Sequence, residues 1–258
     1  MSADDHRIPG PVLTSALAGT ALLGYVLPGL AGARARLLSD RALVRALDGA
    51  VAGGALWERL GIEGRTASGR GYALTFDDGP HPQGTPAVLE ILAGAGVHAT
   101  FFLVGEQVRR NPTLGREIVA EGHGIGLHCD RHRNLLRLAP WQVRADIARA
   151  QASIEDATGR SPSLYRPPYG VLNATALRLA RGRGWRTLLW SQWGRDWEAR
   201  ATPESIATRV TDGASEGSVL LLHDADDYSA PGSWRRTAEA LPAVLERLGA
   251  MGLEPVAP

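Results

Sequence analysis

Short apolar runs alternate with stretches of helical periodicity along residues 71–258. Runs typical of strands cover residues 72–76, 99–104, 125–128, 164–166, 187–191, 219–223 and 253–256. Apolar residues recur at helical spacing over residues 86–95, 114–121, 141–158, 174–181, 203–210 and 238–248. About seven strands that alternate with helices predict an α/β fold built on a parallel sheet or barrel.

Residues 1–70 show a different pattern and predict an N-terminal extension ahead of a catalytic domain at residues 71–258. Within the extension, residues 12–31 carry no charge over twenty positions, a length that could cross a bilayer. Glycine and proline dilute this stretch, and Asp4 and Asp5 stand where a signal peptide would carry basic residues. The alternatives are a membrane span, a cleaved signal, and an apolar helix that packs on the domain or lies at a membrane surface.

These alternatives imply different locations for the catalytic domain. Four basic residues follow the apolar stretch: Arg34, Arg36, Arg41 and Arg45. If the stretch spans a membrane, this charge would place the catalytic domain in the cytoplasm. Membrane association through residues 12–31 favours a membrane-associated or extracytoplasmic protein, and a cytoplasmic location stays open. We expect a monomer.

Charge and composition exclude several classes of function. All 28 basic residues are arginine, which excludes Schiff-base lysines, Ser–Lys pairs and the lysine-containing phosphate loop. The formal net charge of +1 provides no attraction toward nucleic acid, so no nucleic-acid partner is expected. Cys129 is the only cysteine of the sequence, so an intramolecular disulfide is impossible.

Polar residues with catalytic potential follow five of the predicted strands. In parallel α/β folds, the carboxyl ends of the strands surround the active site. The residues at these positions are Asp77 with Asp78, His128 with His132, the segment 166–170, Asp196 with Trp197, and His223 with Asp224. Their recurrence at the same end of five strands predicts an active site there.

The residue types in this group suit a divalent metal ion. His128 and His132 are separated by three residues and, with one carboxylate, form a facial set that leaves positions open for water and substrate. The adjacent Asp77 and Asp78 fit either a simple turn or a metal ligand beside a general base. His223 could be a ligand, a general acid or a structural histidine.

Taken together, these motifs resemble the polysaccharide deacetylase family, the NodB homology domain of carbohydrate esterase family 4. The matching segments are 75–80 (TFDDGP), 98–102 (HATFF), His128-x-x-x-His132, 166–170 (RPPYG), Asp196-Trp197 and 221–224 (LLHD). They occur in the family's order across residues 71–256. The resemblance implies a distorted (β/α)7 barrel, in agreement with the strand count.

The resemblance also implies a role for each site residue. The implied groups are the metal ligands Asp78, His128 and His132, the catalytic residues Asp77, His223, Asp196, Arg166 and Tyr169, and the pocket residues Trp197, Leu221 and Pro167. Asp77 would be the general base, and His223 the general acid oriented by Asp196. Arg166 would steady the carboxylates, and the backbone N–H of Tyr169 would help to hold the oxyanion.

The implied activity is removal of N-acetyl groups from an N-acetylated sugar polymer or oligomer, such as peptidoglycan, a chitin-type chain or another cell-surface glycan. Zinc is the expected metal for a His/His/Asp set, with cobalt, manganese or nickel as alternatives. Alternative functions are deacetylation of a small N-acetylated glycoside, O-acetyl ester hydrolysis on xylan-type sugars, and sugar binding by an inactive relative. The chain departs from the family at Trp193, where an Asp is frequent, and at Cys129, where Ser or Thr is frequent.

A serine hydrolase is a rival interpretation, because residues 213–217 (GASEG) match the nucleophile-elbow pattern. That elbow must follow a strand and open a helix. Here the segment follows a helical pattern and precedes a strand, so we expect the match to be a chance one.

Overall fold

The computed structural model describes residues 57 and 60–258, which contain one eight-stranded sheet. Its strands are β1 (Ile62–Glu63), β2 (Tyr72–Asp77), β3 (Thr100–Val104), β4 (Gly124–Cys129), β5 (Leu164–Tyr165), β6 (Arg186–Leu188), β7 (Gln192–Trp193) and β8 (Ser218–His223). They lie in the order β1-β6-β5-β4-β3-β2-β8-β7, and all neighbours are parallel. The carboxyl ends of the strands therefore meet at one edge of the sheet.

Strands β6 and β7 show that the sheet is curled, although its two edge strands, β1 and β7, are not paired with each other. Only residues 189–191 separate β6 from β7 in the sequence. Nevertheless, β6 pairs with β1 and β5 on one side of the sheet, whereas β7 pairs with β8 on the other. Because one short segment belongs to both sides, the sheet must curl into a distorted barrel. This confirms the distorted barrel that the sequence resemblance implied, although the sheet has eight strands and not the implied seven.

Seven α-helices connect and cover the strands in the described part of the chain. They are α1 (Gly84–Ala95), α2 (Gly105–Arg110), α3 (Pro112–Ala120), α4 (Pro140–Thr158), α5 (Ala174–Gly182), α6 (Pro203–Thr211) and α7 (Ser233–Ala250). The side chains of Asn173 and Thr202 cap the first turns of α5 and α6 by accepting hydrogen bonds from backbone N–H groups. Gly96 and Gly159 end α1 and α4 in the left-handed conformation that glycine adopts without strain.

An apolar core surrounds strands β2 and β3. Strands β2 and β3 are buried along their whole length, as expected for parallel strands covered on both faces. Phe76 and Phe101 occupy paired positions on these strands and stack with ring centroids 5.2 Å apart. The last residue of β2, Asp77, is therefore held by a well-packed core.

Three strands or α-helices among the described residues were not predicted by the sequence pattern. Strand β1 lies within the predicted extension, so the sheet begins before residue 71. Strand β7 and the six-residue helix α2 are the other two. Such short elements present too few apolar positions for a period to be recognised.

Two further predictions concern the ends of the chain. The strand predicted at residues 253–256 is reduced to a single bridge between Tyr72 and Pro255, where proline has no N–H to offer a second neighbour. Residues 12–31 lie outside the described residues, so the alternatives for that stretch stay predictions. Within residues 60–258, no helix combines the length and the apolar character that crossing a bilayer requires.

His123 makes the stability of the fold depend on pH. The side chain is buried before β4, and its Nδ1 accepts a hydrogen bond from the backbone N–H of Ala99 at 3.1 Å. Burial, assisted by the nearby His98, lowers the pKa of His123 from 6.5 to about 4. The stability that depends on the neutral ring is therefore complete above pH 6.5 and is lost as the pH falls toward 4, by about 3 kcal/mol.

Urea unfolding at pH 7 and pH 4 tests this expectation in the wild type and in His123→Asn. Asparagine keeps an acceptor near the position of Nδ1 but does not titrate. The difference in unfolding free energy between the two proteins should shrink by the stated amount at the lower pH. An unchanged difference would mean that His123 does not titrate as the fold predicts.

Candidate functional site

The strand register brings the predicted site residues to one edge of the barrel. Asp77 on β2 is the direct partner of His223 on β8. His128 lies in β4, and the backbone N–H of Arg166, just after β5, donates to the carbonyl of Leu127 beside it at 3.0 Å. Side chains from four strand ends therefore converge, as the sequence predicted from their positions.

Asp78, His128 and His132 form a compact set of potential metal ligands. The Nε2 atoms of both histidines lie 3.5 Å from Oδ1 of Asp78. Ligand atoms about 2.1 Å from a tetrahedral ion are separated by about 3.4 Å, so this spacing fits a divalent cation. Oδ1 of Asp78 is also buried and has no hydrogen-bond partner among the described residues, which is unfavourable unless a cation satisfies it.

The electrostatics of Asp78 support the same interpretation. Burial raises the pKa of Asp78 to about 7; the nearby His223 lowers it, and the carboxylates of Asp77 and Asp224 raise it further. The protein thus keeps several acidic groups together out of water. A bound cation would offset their repulsion.

His128 is oriented for metal binding by the main chain. Its Nδ1 lies 2.8 Å from the carbonyl oxygen of Arg166. Because a carbonyl oxygen only accepts, Nδ1 carries the proton and Nε2 presents its lone pair toward Asp78. Burial, together with the Arg166 cation, lowers the pKa of His128 to about 3, so the ring is neutral, as a ligand must be.

Arg166 is completely buried and holds Asp77 in place. Its Nη1 donates to Oδ1 of Asp77 and to the hydroxyl of Thr75, both at 2.8 Å. Its other nitrogens donate to the carbonyls of residues 188 and 189 at 2.9 Å. Burial raises the pKa of Asp77, and the Arg166 cation and His223 oppose that shift. Asp77 is therefore a fixed, desolvated carboxyl group with Oδ2 left for chemistry.

His223 and Asp196 form a second hydrogen-bonded unit. Nδ1 of His223 lies 2.8 Å from Oδ1 of Asp196. Oδ2 of Asp196 accepts two further hydrogen bonds, from the backbone N–H of His223 at 2.7 Å and from the hydroxyl of Thr237 at 2.8 Å. Burial alone would lower the pKa of His223, but Asp196, with Asp78 and Asp77, raises it to about 10. The ring is a proton donor whose Nε2 lies 4.0 Å from Oδ2 of Asp78.

Unusual backbone conformations mark the same region. Among the described residues other than glycine, positive φ angles occur only at Asp78 (81°), Tyr169 (60°) and Arg195 (51°). The first two are predicted site residues, and Arg195 precedes Asp196. Such conformations are costly and concentrate at functional sites. The turn that presents Asp78 also requires Gly79, because a Cβ there would lie 2.3 Å from a carboxyl oxygen of Asp224.

The predicted pocket residues differ in how directly they reach the site. Trp197 contacts the His223 ring edge-to-face at 5.4 Å. Leu221 lies two positions before His223 on β8, so its side chain faces the same way. Pro167 is buried at the start of the turn that carries Tyr169. A pocket role for these residues stays a prediction.

Sequence reasoning missed several residues that contact the predicted site. Thr75 and Thr237 hydrogen-bond to Arg166 and Asp196. Tyr228 stacks on His132 with centroids 4.6 Å apart. Thr75 stands in the 75–80 motif and could have been found there. Nothing in the sequence pattern singles out Thr237 or Tyr228.

The structure argues against a nucleophile elbow at residues 213–217. Ser215 lies between α6 and β8, so a helix precedes it and a strand follows it. Its hydroxyl accepts a hydrogen bond from Arg65. An elbow requires the opposite order of elements, which agrees with the expectation that the match is a chance one.

Comparison with known proteins identifies similar chains. A family model described as polysaccharide deacetylase matches residues 64–188. A peptidoglycan-N-acetylglucosamine deacetylase of Bacillus cereus is 37% identical over 182 residues, covering 70% of this chain and 82% of that protein. A chitooligosaccharide deacetylase of Azorhizobium caulinodans is 38% identical over 186 residues, covering 69% and 88%. A crystal structure of a peptidoglycan N-acetylglucosamine deacetylase has a TM-score of 0.73 at 29% identity, covering 79% of this chain and 94% of that one.

Arg166→Met should destabilise the protein strongly, because it leaves Asp77 buried without its partner and several acceptors without donors. The expected loss of unfolding free energy is about 3–5 kcal/mol. The matched control is Arg186→Met, since Arg186 forms a partly exposed pair with Glu63 and should cost about 1 kcal/mol or less. Urea unfolding of the metal-free proteins measures both. Equal losses of unfolding free energy in the two variants would show that the buried pair stabilises the protein no more than the partly exposed one.

Proposed function

The chain belongs to the polysaccharide deacetylase family, and from this premise we propose that it is a metal-dependent hydrolase that removes N-acetyl groups from an N-acetylated glycan. One observation carries the proposal. The candidate ligand Asp78 lies next to Asp77 in the sequence and within 4.0 Å of His223. A base, an acid and a metal site are thus available around one reacting amide, the combination that amide hydrolysis requires.

Asp78, His128 and His132 would hold the ion, which we propose to be zinc, with cobalt, manganese or nickel as alternatives. When bound, a divalent ion polarises a carbonyl and lowers the pKa of a water molecule. The mixed nitrogen and oxygen donor set supports this choice. Three protein ligands also leave room for water and substrate, as in catalytic zinc sites.

Asp77 is the proposed general base. Arg166 binds its Oδ1, so Oδ2 is the atom that takes the proton from the attacking water. Oδ2 lies 4.0 Å from Nδ1 of His128, which places it beside the candidate ligands. The opposing influences of burial and the Arg166 cation on the pKa of Asp77 suit a group that must first be ionised and then accept a proton.

His223 is the proposed general acid. An amine leaves poorly unless it is protonated, and Nε2 of His223 can donate that proton while Asp196 holds Nδ1. The backbone N–H of Tyr169 is proposed to stabilise the oxyanion, a contribution of about 3–4 kcal/mol in comparable sites. Trp197 and Leu221 would enclose the acetyl methyl group, with Pro167 beside the Tyr169 turn.

The substrate is proposed to contain N-acetylglucosamine. Two of the similar proteins are a peptidoglycan-N-acetylglucosamine deacetylase and a chitooligosaccharide deacetylase. An N-acetylglucosamine oligomer is therefore the first substrate to test. Peptidoglycan fragments are the second.

Acetate release from N-acetylglucosamine oligomers tests the mechanism. The zinc-loaded wild type should release acetate, and EDTA should abolish the release until metal is restored. Asp77→Asn should lower kcat by about 10²- to 10⁴-fold while the metal stays bound. The matched control is Asp212→Asn, an exposed carboxylate at the end of α6, which should leave kcat unchanged.

Each outcome separates the alternatives. Release that survives both EDTA and Asp77→Asn would rule out the proposed mechanism. Metal binding without release from oligomers or peptidoglycan fragments would favour an inactive carbohydrate-binding relative. Release from O-acetylated xylan alone would assign an esterase instead.

A further inference from the structure

His132 differs from the other histidines of the site in how its ring is held. Nδ1 of His128 has a main-chain carbonyl as its partner, and Nδ1 of His223 has Asp196. Nδ1 of His132 is buried and has no hydrogen-bond partner among the described residues. Metal-binding histidines usually depend on such a partner for their orientation, so something else must orient this ring.

Aromatic packing surrounds His132. Tyr228 stacks on its face, with centroids 4.6 Å apart and an angle of 17° between the rings. Tyr169 contacts it edge-on at 4.5 Å, and the His128 ring lies 5.2 Å away. The face-to-face contact with Tyr228 opposes rotation of the imidazole about the Cβ–Cγ bond of His132, because a turned ring would collide with the tyrosine ring.

The Tyr228 ring is itself anchored. Its hydroxyl donates to Glu106 at 2.7 Å, and the Gln107 amide donates to the hydroxyl at 3.4 Å. Both partners lie in α2, directly after β3. Tyr228 is therefore tied to the same barrel edge that carries the candidate ligands, although it comes from the loop after β8.

The loop is held at a second point by His81 and Asp226. Nε2 of His81 lies 3.3 Å from Oδ1 of Asp226, and Oδ2 of Asp226 accepts from the backbone N–H of Gly232 at 2.6 Å. Nδ1 of His81 accepts from the backbone N–H of Gly84 at 2.9 Å, so the proton of the neutral ring resides on Nε2. A protonated Nε2 cannot bind a metal. The group of His81, Asp226 and Asp227 is therefore a loop anchor rather than a second ion site.

We propose that Tyr228 is a positioning residue that holds His132 in its metal-binding orientation, replacing the hydrogen bond that the other histidines have. This inference rests on the proposed function, because it requires Asp78, His128 and His132 to bind the ion. Tyr228 acts through His132 and takes no part in the chemistry. Its ring provides the orientation, and its hydroxyl keeps the ring in place.

Metal affinity of the full chain is the direct test, measured for Zn²⁺ and Co²⁺ by competition with a chromophoric chelator. Tyr228→Leu should weaken both affinities about 10- to 100-fold, the range for lost support of a ligand, and should alter the visible spectrum of bound Co²⁺. Tyr228→Phe keeps the ring and loses the anchor, so it should weaken affinity by at most about fivefold and retain the wild-type spectrum.

Trp234→Leu is the matched control. Trp234 packs on His81 with centroids 5.8 Å apart, so it is an aromatic partner of a histidine that does not bind the ion. This variant should bind Zn²⁺ and Co²⁺ like the wild type. If Tyr228→Leu fails to fold, as judged by circular dichroism, Tyr228→Met provides the same loss of a flat ring with a longer side chain that adapts more easily to the space.

The results distinguish this inference from the proposed function. A wild type that binds neither ion would overturn the proposed metal site and this inference with it. A wild type that binds both, with the Leu or Met variant matching it in affinity and Co²⁺ spectrum, would overturn the role of Tyr228 alone. A loss of equal size in Trp234→Leu would likewise overturn it, because the effect would then belong to the loop in general.

Discussion

The buried guanidinium of Arg166 is the constraint on which the geometry of the site depends. A cation without water is tolerated only when it is paired and fully hydrogen-bonded. Arg166 meets this requirement by donating to Thr75 and Asp77 on β2 and to the carbonyls of residues 188 and 189 at the end of β6. Its own carbonyl oxygen accepts a hydrogen bond from Nδ1 of His128 on β4. The ends of four strands are thereby fixed relative to one another, and the proposed base Asp77 and the candidate metal ligand His128 are fixed with them.

The side chains of the site are held in place in two different ways. Asp77, His128 and His223 stand on strands, and each forms a hydrogen bond with a buried partner. His132 stands on a loop, and ring packing against Tyr228 replaces that bond. Loops vary more easily than strands, so changes in the loop after β8 could alter metal binding without disturbing the barrel.

The strained turns of the molecule lie where the proposed chemistry needs them. Asp78 and Tyr169 have positive φ angles. Asp78 directly follows Asp77, the partner of Arg166, and Tyr169 comes three residues after Arg166 in the chain. Residues hold such conformations only when their surroundings over-determine them. At Asp78, the following Gly79 allows the turn to pack tightly against the carboxyl group of Asp224. The hydroxyl of Thr85 donates a hydrogen bond to that Asp224 carboxyl group.

The alternation of apolar runs and helical periods was sufficient to predict an α/β fold with a parallel sheet or barrel, because both signals are local. The positions of Asp77, Asp78, His128 and His223 were predictable for the same reason, since each stands at the end of a recognisable strand. The partnership of Tyr228 with His132 was not, because two loops far apart in the sequence meet only after the sheet has curled. The curling of the sheet through residues 186–193 and the pairing of β1 were likewise decided by the tertiary structure. A two-residue strand has no period of its own, and its hydrogen bonds exist only when the rest of the barrel presents an edge to it.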